Sequence, residues 1–282
     1  MNVSKNRQFP SPTGPYKLSL KNTAPWRRET HARLQVSINN PGTEGEKCFA
    51  LSEWAATRFS SVEWIVSDSL QRWNLVFADG MSMAQAWHTS QQAGDAWLKR
   101  NEAALVANPQ AKITRWDDLL ADPRFSPARI ALTELADRDA DFAQSLAAIT
   151  ERFEKSSNRE IPRDRREAFF VASRDFLIEE LAVFTFLCRE PGIDVYAGSW
   201  LEPVFRVLAK HDDPLFDAFR KDWLQVDFTR NKGYQAIAQQ SAPHPDITNV
   251  RCMTDRPESA PLVDHAGRVG QASQSRLMSR HA

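Results

Sequence analysis

Three side chains stand where hydroxyl and carboxylate chemistry could take place: Ser37, Glu180 and Tyr196. Ser37 lies in HARLQVSINNP, residues 31–41, where Ala32, Leu34, Val36 and Ile38 alternate with His31, Arg33, Gln35 and Ser37. That period of two describes a strand with one apolar and one polar face. A serine at its carboxyl end, followed by an Asn-Asn-Pro-Gly loop, is placed to meet a ligand. Glu180 precedes Leu181 and the apolar run AVFTFL, where an unpaired carboxylate is costly. Phe176, four residues earlier, shares its helix face. Glu179 can face water, so one of the two acids must turn to the core side; a Glu180 that snorkels to solvent is the alternative. Tyr196, near the end of IDVYAG, reads by default as an ordinary strand aromatic. His31 sits six residues before Ser37, roughly 20 Å away along a strand, and is therefore structural rather than its direct base.

Other chemistries lack their motifs. No GxGxxG follows a strand, and no Gly-rich loop ends in Lys-Ser or Lys-Thr, so nucleotide phosphates have no cradle. GxSxG is missing around Ser37, and neither HExxH nor paired cysteines suggest a metal. Cys48, Cys188 and Cys252 are too few and too scattered for a disulfide framework or a zinc site. The expectation is therefore no cofactor, no metal and a reducing cytoplasm. No apolar run approaches the roughly 18 residues that cross a bilayer, and the first residues lack the apolar stretch of a secretory signal.

The elements that must position these residues alternate along the chain. Strands are expected over 31–38, 62–68, 112–116, 193–198 and 223–228. Helices are expected over 49–59, from Ser82 to Asn108, from Ser126-Pro127 to about 155, from Arg163 to Glu190, and over 201–210. Strands spaced by helices indicate a parallel sheet covered on both faces. Ligands of such sheets bind outside the carboxyl ends of the strands, where Ser37 falls. Parallel central strands are usually apolar on both faces, so the polar face of 31–38 means either a buried site or an edge strand facing water.

Global charge is balanced, with 36 Lys plus Arg against 36 Asp plus Glu. Residues 1–33 nevertheless carry Lys5, Arg7, Lys17, Lys21, Arg27, Arg28 and Arg33 against Glu29 alone. Pro10, Pro12, Pro15 and Pro25 break any regular element there. Residues 1–28 read as a flexible basic arm, either simply solvated or meeting a phosphate backbone. Residues 29–232 form the folded domain. Residues 233–282 read as a polar, disordered tail.

The stretch His31–Pro41 resembles the first signature of the tRNA-dependent cyclodipeptide synthases, His-x-aliphatic-aliphatic-Gly-aliphatic-Ser-x-x-Asn-Ser/Pro. It matches at His31, Leu34, Val36, Ser37, Asn40 and Pro41 and departs at Arg33 and Gln35. The second signature, Tyr-aliphatic-x-x-Glu-x-Pro and two apolar residues, is similar to Phe176–Phe184, with Phe176 for the Tyr and Ala182 for the Pro. LVFADGMSMAQA, residues 75–86, resembles a further family segment. Tyr196 is the counterpart of a later catalytic Tyr, although Ala197 stands where the main subfamilies have His or Pro. The likeness spans roughly 31–230 and marks a divergent member, with the fungal arginine-incorporating branch as one placement.

The resemblance implies a Rossmann-like parallel sheet flanked by helices, similar to the catalytic domain of class I tyrosyl- and tryptophanyl-tRNA synthetases. It implies an aminoacyltransferase that uses two aminoacyl-tRNAs in ping-pong order and releases a diketopiperazine, without an ATP step. Ser37 would carry the first aminoacyl group as an ester, Glu180 would hold its ammonium, and Tyr196 would relay a proton during cyclisation. Asn40 would position the second aminoacyl group, with Arg33, Gln35 and Phe176 at the substrate. The family's basic helix corresponds to a segment offering Lys99 and Arg100 to tRNA. Neither a membrane nor a metal partner is implied, and a monomer is the expected state. Two other readings stand beside it: a synthetase-like tRNA-binding module without catalysis, and a serine esterase, which needs a His at the Ser37 hydroxyl.

Overall fold

The computed structural model of the chain describes residues 14–20, 30–38, 40–156, 161, 163–197, 201–221 and 223–230. The expected tail, 233–282, and most of the expected arm, 1–13 and 21–28, lie outside these residues. No helix among the described residues is long and apolar enough to cross a membrane.

The alternating stretch forms β2 (His31–Ser37). It pairs in parallel with β3 (Ser61–Ser67) on one side and β5 (Ile193–Tyr196) on the other. β4 (Lys112–Arg115), which runs into the short helix α5 (Trp116–Leu120), continues the sheet beyond β3, and β6 (Leu224–Arg230) continues it beyond β5, both in parallel. A sixth strand, β1 (Tyr16–Leu20), runs antiparallel to β6 at the edge, giving the order β1-β6-β5-β2-β3-β4. This strand falls within the segment expected to lack regular structure. YKLSL is free of proline and buries Leu18 against the sheet core.

The five parallel strands have the order of a doubly wound Rossmann-like sheet, in which the chain reverses direction at the first strand. That reversal lies between β2 and β5. The crevice at the carboxyl ends of these two strands is where such sheets bind ligands, and Ser37 and Tyr196 end the two strands.

β2 is central, so the edge-strand reading of its polar face is overturned. Its apolar residues Ala32, Leu34 and Val36 pack with α1 (Gly45–Ala56), α3 (Met83–Arg100) and α4 (Glu102–Val106), through Cys48, Leu51, Trp54, Trp97 and Ala104. The opposite face lies towards α8 (Arg166–Leu187), which is surrounded by α6 (Phe125–Arg138), α7 (Ala140–Ser156) and α9 (Glu202–Leu208). The polar row survives inside the protein because its members pair. Arg33 is 2% exposed and forks onto Asp194 through Nε at 2.8 Å and Nη2 at 2.9 Å. Its Nη1 also donates to the Pro191 carbonyl at 3.1 Å. Burial opposes the guanidinium charge, but Asp194 overcomes that, and the pKa ends above its ordinary value. Gln35 donates to the same carboxylate at 3.2 Å.

Two expected helices are each divided. Ser82 caps α3 as anticipated, with Gln85 completing the capping box. The run to Asn108 breaks at Asn101, whose Oδ1 accepts from Gly45 N at 2.8 Å and whose Nδ2 donates to Glu44 at 3.1 Å. The run from 126 to about 155 breaks at Asp139, whose carboxylate accepts from Phe142 N at 2.7 Å and starts α7. In each case a side-chain hydrogen bond to a backbone or neighbouring group competes with helix continuation.

Candidate active site

Ser37 is partly exposed at the end of β2, and its surroundings are fixed by backbone bonds. Its carbonyl accepts from Asn40 N at 3.0 Å and from Thr43 Oγ1 at 2.8 Å, closing a tight turn. Asn40 Oδ1 accepts from Gly42 N at 2.8 Å, and Nδ2 donates to the Ala197 carbonyl at 3.3 Å. Asn40 therefore ties the turn after β2 to the chain leaving β5, across the reversal point. One amide hydrogen of Asn40 is not used by these bonds.

The Ser37 hydroxyl accepts a hydrogen bond from Gln71 Nε2 at 3.2 Å, its one partner among the described residues. His31 is at the other end of β2, with Ser61 Oγ at 2.8 Å and Glu63 at 3.2 Å. Among the described residues, the esterase reading thus lacks the base it requires. His31 is structural, as its spacing suggests.

Gln71 ends a 3-10 turn, Ser69–Gln71, that leads from β3 directly into α2 (Arg72–Asp79). Arg72 is 4% exposed and forms a two-pronged ion pair with Glu179, one prong at 2.8 Å. Trp73 Nε1 at 3.2 Å and Trp116 Nε1 at 2.9 Å also donate to the Glu179 carboxylate. Glu179 is 0% exposed, which corrects the expectation that it faces water. A fully buried carboxylate is tolerated because four donors converge on it. Arg72 is itself packed against Trp73 and Trp87, with centroids at 5.0 and 4.3 Å.

This pair is a structural brace under the site. Removing one member of a buried ion pair leaves an uncompensated charge, so Arg72→Met should cost about 3–5 kcal/mol of stability in chemical denaturation. A loss below about 1 kcal/mol would mean the brace does not hold the fold.

Glu180 is the other acid and has the opposite environment. It is 7% exposed and has no hydrogen bond or ion pair among the described residues. Burial, with a smaller contribution from the neighbouring Glu179 charge, raises its pKa from 4.5 to about 8. The Tyr196 hydroxyl is pushed well above its ordinary pKa by burial first, and further by Glu180. Glu180 and Tyr196 therefore face one another electrostatically. Tyr196 is opposite Gln35 in the sheet register, two residues before Ser37.

These contacts close a ring. Ser37 touches Gln71, whose neighbour Arg72 grips Glu179. The next residue, Glu180, acts on Tyr196, which returns to β2 beside Gln35. A serine hydroxyl, a carboxyl with no hydrogen bond or ion pair among the described residues, and a buried phenol are thus linked through these contacts near the reversal point. Phe176 packs against the same core one turn before Glu180 and offers no hydroxyl. Sequence reading missed Gln71 and Arg72, although their place immediately after an apolar strand was a usable signal.

The proposed tRNA residues lie apart from this ring, in the last turn of α3. Arg100 pairs with Glu44 at 3.0 Å, whereas Lys99 is exposed. Asp175, one turn before Glu179, is half-buried and has no hydrogen bond or ion pair among the described residues. Burial raises its pKa, and Arg129 and Arg174 pull it back.

The family model described as cyclodipeptide synthase matches residues 18–185. No curated protein matches the chain significantly by sequence. Among solved structures, a cyclodipeptide synthase from Fluoribacter dumoffii superposes with a TM-score of 0.66 at 20% identity, covering 77% of this chain and 99% of the other. A Mycobacterium tuberculosis protein described as showing that cyclodipeptide synthetases are related to type I tRNA synthetases gives 0.57 at 12% identity, covering 80% and 99%. The synthase from Candidatus Glomeribacter gigasporarum, bound to Phe-tRNAPhe, gives 0.56 at 15% identity, covering 76% and 93%.

Proposed function

The chain belongs to the cyclodipeptide synthase family, and on that premise we propose that it transfers aminoacyl groups from two aminoacyl-tRNAs and releases them as a cyclic dipeptide. The carrying observation is Glu180, a buried carboxyl with no hydrogen bond or ion pair among the described residues, next to the Glu179 that is held by Arg72, the neighbour of the Ser37 partner Gln71. The α-ammonium of an aminoacyl group supplies the countercharge that the protein omits.

In this reading Ser37 Oγ attacks the aminoacyl ester. The bond from the acyl carbon to the ribose oxygen breaks, and the serine proton ends on that oxygen. The ester is already activated, so no Ser-His-Asp triad is needed. Glu180 holds the amino group of the bound residue. That amine then attacks the ester of the second aminoacyl-tRNA, and an amide bond forms as the second ribose oxygen leaves with the amine proton; the remaining Asn40 amide hydrogen meets this second aminoacyl group. Tyr196 relays a proton as the new terminal amine attacks the acyl-serine carbon and closes the ring. Phe176, Arg33 and Gln35 shape the wall and floor of the pocket. The missing second-signature hydroxyl at Phe176 leaves Glu180 as the principal amino-group ligand.

A cationic side chain in the product, arginine above all, requires a carboxylate that is not already paired. Asp194 is bound to Arg33 and Glu179 to Arg72. Asp175 is the acid we assign to that role.

The test is expression in a bacterial host with mass spectrometry of the medium. Diketopiperazines from the wild type support the reading, and arginine among them supports the finer assignment. A well-folded protein that yields none with matched tRNAs would overturn it. We also place tRNA contacts at Lys99, Arg100 and the basic segment before residue 34. Several phosphate contacts would make activity fall steeply, by about tenfold or more, between 50 and 200 mM salt. An activity unchanged over that range would remove this arrangement.

A further inference from the structure

Among the described residues no base reaches the Ser37 hydroxyl, yet its oxygen is not left to itself. We infer that Gln71 is a catalytic residue whose amide N–H holds the Ser37 oxygen as nucleophile and then as leaving group, and that Asn74 is the positioning residue that fixes which end of the amide faces Ser37. The inference rests on the acyl-serine reading above and goes beyond it.

The geometry sets the polarity. Asn74 Nδ2 donates to Gln71 Oε1 at 2.9 Å, so the oxygen end of the Gln71 amide is turned away from Ser37. The nitrogen end therefore points at Ser37 Oγ, at 3.2 Å. Gln71 is 4% exposed and leads into α2, whose first residue is anchored by Glu179, so the side chain works from a rigid base. An amide that donates to Oγ occupies one lone pair. The hydroxyl hydrogen is then directed elsewhere, and another lone pair can approach the ester carbon.

The amide neither gives up nor takes a proton in either step. During acylation, Oγ forms the new ester bond and its proton leaves with the ribose oxygen. During ring closure, the amine nitrogen bonds the acyl carbon, the bond from that carbon to Oγ breaks, and the amine proton returns to Oγ. Negative charge builds on Oγ only in the second step. A positioned donor contributes most where charge develops, so Gln71 should matter more for release than for loading.

Single-turnover loading from a radiolabelled aminoacyl-tRNA, followed by steady-state product formation, separates the two steps. Gln71→Leu should lower turnover about 100–1000-fold, on the scale of losing one such donor. Loading should fall less, labelled enzyme should accumulate, and the apparent KM for aminoacyl-tRNA should fall together with turnover rather than rise. Asn74→Asp presents only acceptors, so it should flip the Gln71 amide and turn its oxygen to Ser37. That variant should reproduce the release defect although Asn74 does not touch Ser37. Melting temperatures close to wild type would exclude simple unfolding; if Gln71→Leu fails to fold, Asn74→Asp and Gln71→Glu carry the same readout. Unchanged turnover in the folded variants, or a loss confined to KM, overturns the role of Gln71 while leaving the proposed function intact. A wild type that never becomes labelled overturns both.

Discussion

Ser37→Ala should abolish cyclic dipeptide formation, lowering turnover by about a thousandfold or more, the scale seen when a covalent nucleophile is removed. The loss should be in turnover rather than in folding. Ser37 is only partly buried, and its turn is held by its backbone carbonyl, which alanine keeps. The hydroxyl engages Gln71 alone among the described residues, so one neutral hydrogen bond, about 1 kcal/mol, is removed. Binding of aminoacyl-tRNA should persist. A variant that retained more than a tenth of wild-type turnover would make Ser37 a bystander and shift the account towards direct transfer between the two tRNAs.

Glu180→Gln should be the second large effect, and pH distinguishes its two consequences. In the free protein Glu180 titrates near 8, because burial and the Glu179 charge disfavour its ionised form. The productive complex needs one proton shared between this carboxyl and the substrate amine, whose own pKa is about 8. Wild-type kcat/KM should therefore rise from pH 6 towards pH 8, as the second proton is lost. In Glu180→Gln the amide cannot pair with an ammonium, so kcat/KM should fall about 100-fold and lose that rising limb. A variant with wild-type activity would remove Glu180 from the site.

Stability should move the other way. A carboxyl with a raised folded-state pKa keeps its proton in the fold after the unfolded chain has released it. Wild-type stability thus falls as pH rises from 4.5 to about 8 and is level outside that window. The gap corresponds to at most about 5 kcal/mol. Glu180→Gln should escape this loss, so its stability relative to wild type should improve from pH 5 to pH 8 in chemical denaturation. Equal slopes for the two proteins would mean Glu180 already has a partner.

The candidate residues Ser37 and Glu180 draw attention in the sequence because their environments contradict their types. Ser37 ends an alternating strand, and Glu180 interrupts an apolar run. The resemblance singles out Glu180 over Glu179, and the fold adds the physical contrast between them. Both are buried, and the tertiary partners Arg72, Trp73 and Trp116 satisfy Glu179, whereas Glu180 has no hydrogen bond or ion pair among the described residues. The central place of β2 was hidden for a related reason. Its polar face looks like a solvent face until Asp194, 161 residues away in sequence, neutralises Arg33. Gln71 and Arg72 escaped notice because a 3-10 turn runs straight into a short helix there, without the 3.6-residue pattern that marks longer ones. β1 was obscured by flanking prolines and by its short length. The parallel sheet itself was read from the alternation of strands and helices. Its strand order, and hence the crevice between β2 and β5, comes only from long-range pairing.

The most direct test of the account is the intact mass of the wild-type protein after brief mixing with one aminoacyl-tRNA and acid quench. The account predicts an added mass equal to one aminoacyl residue, located on the peptide that contains Ser37, labile to base and absent from Ser37→Ala. Product formation with no such adduct under single-turnover conditions, or an adduct on another residue, would contradict it.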